Sequence, residues 1–290
     1  MTEAKIGIIG GSGLYDLEGI SDLTEVRLST PFGDPSDVIT LGTFAGQRVA
    51  FLPRHGRGHR LLPSELPNRA NIYALKVLGV ERIIAVSAVG SMRETIHPLD
   101  LVVPDQIVDR TTRRPNTFFG EGLVAHISFA DPFCPQLSAL LAQAAEETGA
   151  RVHRGGTYIC IEGPQFSTRA ESRIYRQWGV DIIGMTAVPE AKLAREAEIC
   201  YAVLALVTDY DVWHVSEQPV TAEMVIANLQ RNVAQAKRVL ATLIPRLGVE
   251  RTCACSQALR DALVTDLALI PPARREALRP LIGRYLERRG

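Results

Sequence analysis

A continuous apolar run from Tyr201 to Val207 leads directly into the stretch Thr208-Asp209-Tyr210-Asp211. An apolar run of this length is typical of a strand that is buried on both faces of a sheet. Open α/β sheets bind their ligands beyond the carboxyl ends of their strands. Because side chains at i and i+2 of a strand point the same way, Asp209 and Asp211 are predicted to face one ligand. In isolation the pair is equally consistent with a helix N-cap or a solvated loop.

Several other strand-like segments also end in small or polar residues. The segment from Lys5 to Gly10 runs into Gly11-Ser12-Gly13, and the segment from Arg82 to Ser87 runs into Ala88-Val89-Gly90-Ser91. Strands that share one sheet edge bring their ends to a single crevice. The side chains predicted to meet there are Ser12, Arg54, Ser87, Phe166, Met185 and Asp209. This repetition favours a ligand site over an isolated cap.

Strand-like and helix-like hydrophobic patterns alternate along the chain, which is typical of a mixed α/β domain. With 290 residues, one large domain or a domain with an appendage is expected. Strands are predicted at Lys5–Gly10, Val38–Leu41, Arg48–Leu52, Arg82–Ser87, Asp100–Val103, Gln106–Val108, Thr157–Ile161, Asp181–Ile183 and Tyr201–Val207. Helices are predicted at Asn68–Leu78, Pro135–Thr148, Thr168–Trp178, Glu190–Ala197 and Thr221–Leu243. Beyond Pro271, the apolar residues Leu278, Leu281, Ile282 and Tyr285 are compatible with an amphipathic helix on the body or on a neighbour.

The balanced charge favours neither nucleic acid nor an anionic membrane as a partner. Lys plus Arg and Asp plus Glu are equal at 32 each, so no overall field attracts nucleic acid or an anionic membrane. Any anion site therefore has to be local. The first residues lack the apolar core of a signal peptide, and no apolar run approaches the roughly 20 residues that cross a bilayer. A cytoplasmic enzyme without nucleic-acid or membrane partners is expected.

Two glycine-containing segments are candidates for a local anion site. In Gly10-Gly11-Ser12-Gly13, backbone N–H groups can form an anion-binding nest. The alternative is a tight turn without a ligand. The spacing fits neither a Walker loop nor a dinucleotide fingerprint, which argues against a nicotinamide oxidoreductase. In Arg54-His55-Gly56-Arg57-Gly58-His59, the guanidinium forks suit phosphate, and a solvated basic loop is the alternative. Because glycines break this segment, it does not present two histidines to a metal on one helix face.

The chain has five cysteines. Cys134, Cys160 and Cys200 have apolar neighbours and are predicted to be small core residues. Cys253 and Cys255 have polar neighbours, and they either form a disulfide or remain free thiols. A single metal-like pair without a second pair is weak evidence for zinc, so no metal site is predicted.

Longer motifs follow one another in a fixed order along most of the chain. They are Gly10-Gly11-Ser12-Gly13-Leu14, Thr30-Pro31-Phe32-Gly33, Arg54-His55-Gly56-Arg57, Asp109-Arg110-Thr111-Thr112, Glu162-Gly163-Pro164, Met185-Thr186 with Val188-Pro189-Glu190, and Thr208-Asp209-Tyr210-Asp211. This series resembles the 5′-methylthioadenosine phosphorylases, within the trimeric class of purine nucleoside phosphorylases. The resemblance implies a single α/β domain with a central mixed, twisted sheet flanked by helices. We expect that domain at residues 1–250 and a C-terminal helical extension, packed on the same domain, at residues 251–290.

The resemblance also implies a reaction and a set of site residues. The family cleaves an N-glycosidic bond with inorganic phosphate, giving adenine and 5-methylthioribose 1-phosphate, with phosphate as co-substrate and no cofactor. The implied catalytic residues are Asp209 and Asp211. The implied phosphate-binding residues are Ser12, Arg54, His55, Ser87, Ala88 and Thr186. The implied nucleoside-binding residues are Phe166, Ile183, Met185, His59, Val225 and Leu269, with His126 from an adjoining subunit of a trimer or a dimer of trimers.

Two alternatives remain at this point. A phosphorylase for 6-oxopurine nucleosides or methylthioinosine is the nearer one. The 6-oxo group needs a donor, and two carboxylates such as Asp209 and Asp211 favour an amino group instead. A nucleoside-binding protein without catalysis belongs to another class, and phosphate-dependent release of free base would distinguish it from an enzyme.

Overall fold

A computed structural model describes residues 3–10, 19–214 and 222–286, and within 222–286 it leaves out the side chains of Ala222, Met224 and Val225. The strands in these residues are Ile6–Gly10 (β1), Ser21–Val26 (β2), Ile39–Phe44 (β3), Gln47–Pro53 (β4), Arg82–Ser91 (β5), Leu101–Val103 (β6), Gln106–Arg110 (β7), Val152–Arg154 (β8), Thr157–Ile161 (β9), Ile182–Gly184 (β10) and Cys200–Asp209 (β11). The helices are Asn68–Val77 (α1), Pro135–Glu147 (α2), Arg169–Gln177 (α3), Ala187–Glu196 (α4), Ala222–Leu243 (α5), Pro272–Ala277 (α6) and Arg279–Leu286 (α7).

All the described strands belong to one mixed sheet. Its main path runs β2-β3-β4-β1-β5-β10-β9-β7, while β11 pairs with β5 and β6, and β6 pairs with β8. The strands β4, β1, β5 and β11 are mutually parallel, so their carboxyl ends meet at one edge. The antiparallel strand β10 pairs with Gly90 and Ser91 at the far end of β5 and brings its own residues to the same edge. This topology places the polar strand ends of the sequence side by side.

The apolar run of β11 is buried because helices cover both faces of the sheet. Tyr201, Val203, Ala205 and Val207 join one core cluster, which includes residues of α1, α4 and α7. Ala202, Leu204 and Leu206 join a second cluster, formed with α2 and α5. The alternation follows from the two-residue period of a strand. The prediction of a single α/β domain with a mixed sheet flanked by helices is confirmed.

Local sequence signals explain several element boundaries. Thr168 caps α3 in a capping box, accepting from the N–H of Glu171 while the Glu171 carboxylate accepts from the N–H of Thr168. The β3–β4 hairpin turns at Ala45 and Gly46, both with positive φ. Among the described helices, none is both long and apolar enough to cross a membrane.

The C-terminal segment packs on the body. Leu278, Leu281, Ile282 and Tyr285, the four apolar residues predicted to face a partner surface, join the first core cluster. The Tyr73 hydroxyl of α1 donates to the carbonyl of Ala277 at 2.8 Å. The predicted amphipathic helix is present as the pair α6 and α7.

Candidate active site

A cavity of about 560 Å³ opens at the edge where the parallel strands end. This volume is in the range of small-molecule sites. Its lining includes many of the predicted site residues: Arg54, His55, His59, Ser87, Ala88, Phe166, Ile183, Met185, Thr186, Asp209 and Asp211. Other lining residues include Gly90, Ser167, Thr208, Ile226 and Leu229. The convergence predicted from the strand ends is therefore present.

Arg54, directly after β4, is held by a buried ion pair. Its Nε lies 2.5 Å from Oε1 of Glu190 and its Nη2 lies 3.2 Å from Oε2, while Nη1 donates to the carbonyl of Val86 at 2.9 Å. Burial by itself lowers the pKa of Arg54, but the Glu190 carboxylate overcomes this and leaves it above its ordinary value. The Tyr201 hydroxyl donates to the same carboxylate at 2.8 Å. A permanently charged guanidinium thus lies at one end of the cavity in a fixed orientation.

His55 is neutral and fixed as one tautomer. Burial, and then the charge of Arg54, lower the pKa of His55 to about 4. Its Nδ1 lies 2.9 Å from the carbonyl oxygen of Leu61, which can only accept, so Nδ1 carries the proton. Nε2 is then an acceptor. The His59 ring stacks on the ring of His55, with the ring centroids 4.3 Å apart.

Two hydroxyls lie at the same end of the cavity. Ser87 Oγ and Thr186 Oγ1 are 2.9 Å apart, and both residues are buried. Ser87 lies in β5 and Thr186 immediately precedes α4, so the bond joins two elements that are 99 residues apart in sequence. With Arg54 these groups offer several donors to an anion.

Asp209 is the last residue of β11, and Asp211 follows in a turn with φ +52°. The prediction that Asp209 and Asp211 both belong to the strand, with their side chains on one side of it, is wrong, because the strand ends at Asp209. Oδ1 of Asp209 accepts from the N–H of Asp211 at 2.8 Å, which closes the turn. Oδ2 of Asp209 accepts from the Thr208 hydroxyl at 2.7 Å. Both carboxylates nevertheless line the cavity.

Burial dominates the electrostatics of this aspartate pair. It raises the pKa of Asp209, and the bonds from Thr208 and from the N–H of Asp211 offset part of the rise. Burial also raises the pKa of Asp211 to about 6, with a smaller contribution from the Asp209 charge. Oδ2 of Asp211 is buried and has no hydrogen bond of normal geometry with the described residues, although the nearby Ser172 hydroxyl offsets part of the rise in the pKa of Asp211. A buried acceptor without a well-formed hydrogen bond favours a ligand that donates there.

Gly90 makes room for the Asp209 carboxylate. A Cβ at position 90 would lie 2.8 Å from Oδ1 of Asp209 and 3.0 Å from Cγ2 of Ile183. A real Cβ essentially never lies 2.8 Å from another heavy atom, so any residue larger than glycine at position 90 would displace this carboxylate. Ile183, Met185 and Phe166 then supply the apolar part of the wall.

Four predicted residues are not part of the described cavity. Ser12 lies outside the described residues, as does the side chain of Val225. His126 is exposed, and Leu269 is 74% exposed, and neither lines the cavity of its own chain. The two do lie on neighbouring segments, because Ala125 and Leu263 form a bridge and Val124 bonds to Thr265.

Sequence reasoning missed two buried residues that position the site. Glu190 holds Arg54, and Arg114 donates to the carbonyls of Met185 at 2.6 Å and Glu162 at 2.7 Å. Glu190 stands inside a quoted motif, and Arg114 lies two residues beyond another, but neither was given a role. No simple sequence signal marks Glu190, because its helix also carries Lys192, Arg195 and Glu196.

Comparisons with known proteins agree with this geometry. The sequence profile of the phosphorylase superfamily matches residues 5–245. The S-methyl-5′-thioadenosine phosphorylase of Geobacter sulfurreducens is 59% identical over 285 residues, covering 98% of this chain and 100% of the relative. The S-methyl-5′-thioadenosine phosphorylase of Hyperthermus butylicus is 57% identical over 266 residues, covering 90% of this chain and 96% of the relative.

Solved structures give the same result. A methylthioadenosine phosphorylase from an antarctic soil metagenomic library superimposes with a TM-score of 0.92 at 52% identity, covering 97% of this chain and 99% of that one. A second structure is a variant of the adenosine/methylthioadenosine phosphorylase of Schistosoma mansoni in complex with methylthioadenosine. It superimposes with a TM-score of 0.83 at 38% identity, covering 89% of this chain and 96% of that one. The chain therefore belongs to the phosphorylase superfamily and, within it, to the family of S-methyl-5′-thioadenosine phosphorylases.

Proposed function

We propose that this chain is a pentosyltransferase that cleaves S-methyl-5′-thioadenosine with inorganic phosphate, giving adenine and 5-methylthioribose 1-phosphate. One observation carries the proposal: a single cavity combines a cationic, hydroxyl-lined end at Arg54 with a buried acidic end at Asp209 and Asp211. Phosphorolysis of a nucleoside needs an anion on one side of the sugar and a proton-handling group at the base on the other.

Phosphate is assigned to the end formed by Arg54, His55, Ser87, Ala88 and Thr186. Arg54 supplies a fixed positive charge, and the hydroxyls of Ser87 and Thr186, 2.9 Å apart, supply donors. Neutral His55 presents Nε2 as an acceptor, which suits a protonated oxygen of the phosphate. Ser12 completes this end in the proposal. No cofactor enters the reaction, and phosphate is the co-substrate.

The sugar and the base are assigned to the apolar wall between the two ends. Met185 lies under the ribose, and Phe166 and Ile183 flank the purine, since all three line the cavity. His59 and Val225 are assigned to the methylthio side. As the glycosidic bond breaks, positive charge develops on the sugar, and the adjacent phosphate anion stabilises it.

The two aspartates are assigned to the purine edge as the catalytic pair. Asp209 is buried with a raised pKa, so it can hold a proton and share it with the departing base at N7. The N–H of Asp211 and the hydroxyl of Thr208 fix its orientation. Oδ2 of Asp211 is a buried acceptor that lacks a well-formed hydrogen bond to the described residues, and the purine 6-amino group is a donor of the right kind.

A 6-oxopurine fits this end less well. Its O6 is an acceptor, and an acceptor opposite a carboxylate stays unpaired unless the acid is protonated. The decisive assay compares initial rates on methylthioadenosine, methylthioinosine, adenosine and inosine, with and without phosphate. We expect phosphate-dependent release of base, with the highest kcat/KM for methylthioadenosine. Base release without phosphate, a preference for methylthioinosine, or binding without turnover would each contradict the proposal.

We further propose that the protein acts in the cytoplasm as a homotrimer or a dimer of trimers, with His126 of an adjoining subunit closing the methylthio side. Two observations support this arrangement. His126 and Leu269 are exposed and lie on neighbouring segments, although neither reaches the cavity of its own chain. Phe166, which lines the cavity, is 44% exposed in the isolated chain, so a neighbour has apolar surface to cover. In this arrangement Leu269 also belongs to the neighbour's pocket.

A further inference from the structure

Four cysteines from three separate parts of the chain meet at the end of the sheet opposite the cavity. Cys134 is the N-cap of α2, and Cys200 is the first residue of β11. Cys253 and Cys255 lie at the short 3₁₀ turn over Ala254–Gln257. The four Sγ atoms all lie within 4.8 Å of one another. The sequence prediction that Cys134 and Cys200 are buried is confirmed, but their thiols meet those of the C-terminal pair.

The spacing of these sulfur atoms suits a tetrahedral metal ion. With Zn–S bonds of about 2.3 Å, the sulfur atoms of a tetrahedral site are about 3.8 Å apart. Here the Sγ atoms of Cys200 and Cys253 are 3.3 Å apart, and the largest separation in the group is below 4.8 Å. All four cysteines are free thiols in this structure. Small side-chain rotations are enough to bring four thiolates onto one ion.

The surroundings favour charged sulfur ligands. Cys134, Cys200 and Cys255 are each no more than 3% exposed. The N–H of Leu137, in the first turn of α2, donates to Sγ of Cys134 at 3.5 Å. A helix N-terminus stabilises a thiolate, and an N–H donor to sulfur is a common outer partner of a metal ligand.

We propose that Cys134, Cys200, Cys253 and Cys255 form a structural zinc site. Four protein ligands leave no open position for water, which is typical of a structural site and not of a catalytic one. The site lies at the opposite end of β11 from Asp209, nine residues away, which is about 30 Å along an extended strand. Bound zinc joins the C-terminal segment to the starts of α2 and β11.

This group of four cysteines is not recognisable from the sequence alone. Cys253 and Cys255 are only one pair, and the other two ligands are separated from them and from each other by long stretches of chain. Neither Cys134 nor Cys200 has a second cysteine nearby in sequence, so no spacing rule connects them. Their meeting depends on β11 starting beside α2, which is a property of the fold.

The first test uses the full chain, purified under reducing conditions and loaded with Zn²⁺ alone or with Co²⁺ as a spectroscopic probe. We expect one zinc per chain by mass spectrometry of the metal, and the visible absorption of tetrahedral thiolate-bound Co²⁺. In denaturant with chelator and without reductant, all five thiols should react. A chain that takes up no metal while its thiols are reduced would overturn the proposal. Reaction of one thiol only would do so as well, because it would show two disulfides instead.

Matched variants locate the ligands. The double change Cys253→Ser and Cys255→Ser should abolish stoichiometric zinc and lower Tm, and chelator should then have no further effect on Tm. Cys160→Ala, a buried cysteine outside the group, should keep full zinc content. Zinc retained by the double variant, or lost equally from Cys160→Ala, would contradict the assignment. If the double variant fails to fold, the Co²⁺ spectrum and the thiol count of the unmodified chain still show whether the four cysteines bind a metal ion.

Discussion

At the scale of single residues, the site depends on buried charges and on the groups that fix them. The Asp209–Asp211 pair was recognisable from sequence, because two acids directly follow a buried strand. The turn that makes Asp211 donate its N–H to Asp209 was not recognisable, since the strand end cannot be placed to one residue from a hydrophobic pattern. Likewise Arg54 was predicted as a phosphate ligand, whereas its partner Glu190, 136 residues away, is a consequence of the fold.

Glu190→Gln tests the buried ion pair. The change leaves the Arg54 charge buried without a counterion, and we expect it to lower the free energy of unfolding by about 3–5 kcal/mol. Glu25→Gln is the control, because Glu25 pairs with Arg57 at 2.7 Å on the exposed surface. Glu25→Gln should lower the free energy of unfolding by less than about 1 kcal/mol. Denaturant unfolding measures both, and equal losses would refute the argument from burial.

Gly90→Ala tests the close approach of backbone and carboxylate. A Cβ there would lie 2.8 Å from Oδ1 of Asp209, so the carboxylate has to move. We expect kcat/KM to fall about 10²-fold, because catalytic groups tolerate little displacement. Gly248→Ala is the control, since the nearest atom to its Cβ is a side-chain amide at 3.6 Å. Unchanged kinetics in Gly90→Ala would show that Asp209 need not stay where it is.

At the scale of elements, the predicted strands and helices are present, with boundaries that shift by a few residues. β11 was predicted over Tyr201–Val207 and spans Cys200–Asp209, because polar residues at its end continue the pairing with β5. β2 and β8 were missed. Ser21–Val26 is almost wholly exposed, and Val152–Arg154 has only three residues. Neither segment therefore has a hydrophobic pattern from which a strand can be predicted.

Glu196, at the end of α4, predicts a pH dependence of stability. It is buried, and it accepts from the Thr117 hydroxyl and the N–H of Phe118, both at 2.7 Å. Burial raises its pKa to about 7 from an unfolded value near 4.5. Between these values the folded state binds more protons than the unfolded state. The contribution of Glu196 to the free energy of unfolding therefore falls as pH rises through this window, by roughly 3 kcal/mol at most.

Glu196→Gln removes this titration. A glutamine can still accept from Phe118 and can donate to Thr117, so the packing is kept. Urea unfolding at pH 5 and pH 8 should show a smaller loss of stability with rising pH in the variant than in the unmodified chain. The same pH dependence in both proteins would mean that the buried carboxylate is not raised in pKa.

At the scale of the whole molecule, the residue pattern predicted the fold and the strand-end residues that line the cavity, whereas the assembly was implied only by the family resemblance. Strand ends such as those before Arg54 and after Val207 converge because parallel strands share an edge, which is a general property of α/β sheets. His126 and Leu269 have no role within their own chain's cavity. Which subunit they serve depends on the interface, and no periodicity in the sequence encodes it.

His126→Ala tests the proposed assembly. If His126 closes the methylthio side of a neighbour's cavity, the variant should raise KM for methylthioadenosine several-fold and change KM for phosphate little. Light scattering should show that the oligomer itself persists. A monomeric protein with full activity would contradict the trimer. An unaltered KM in an intact trimer would remove His126 from the pocket.

The most direct test of the proposed mechanism is a single-turnover measurement of adenine release from methylthioadenosine by Asp209→Asn, with saturating phosphate. The amide keeps the size of the side chain but cannot hold the proton that the departing base shares. We predict a chemical rate lowered by roughly 10²–10⁴-fold, with folding and phosphate binding intact. A rate equal to that of the unmodified enzyme would contradict the placement of the purine against Asp209.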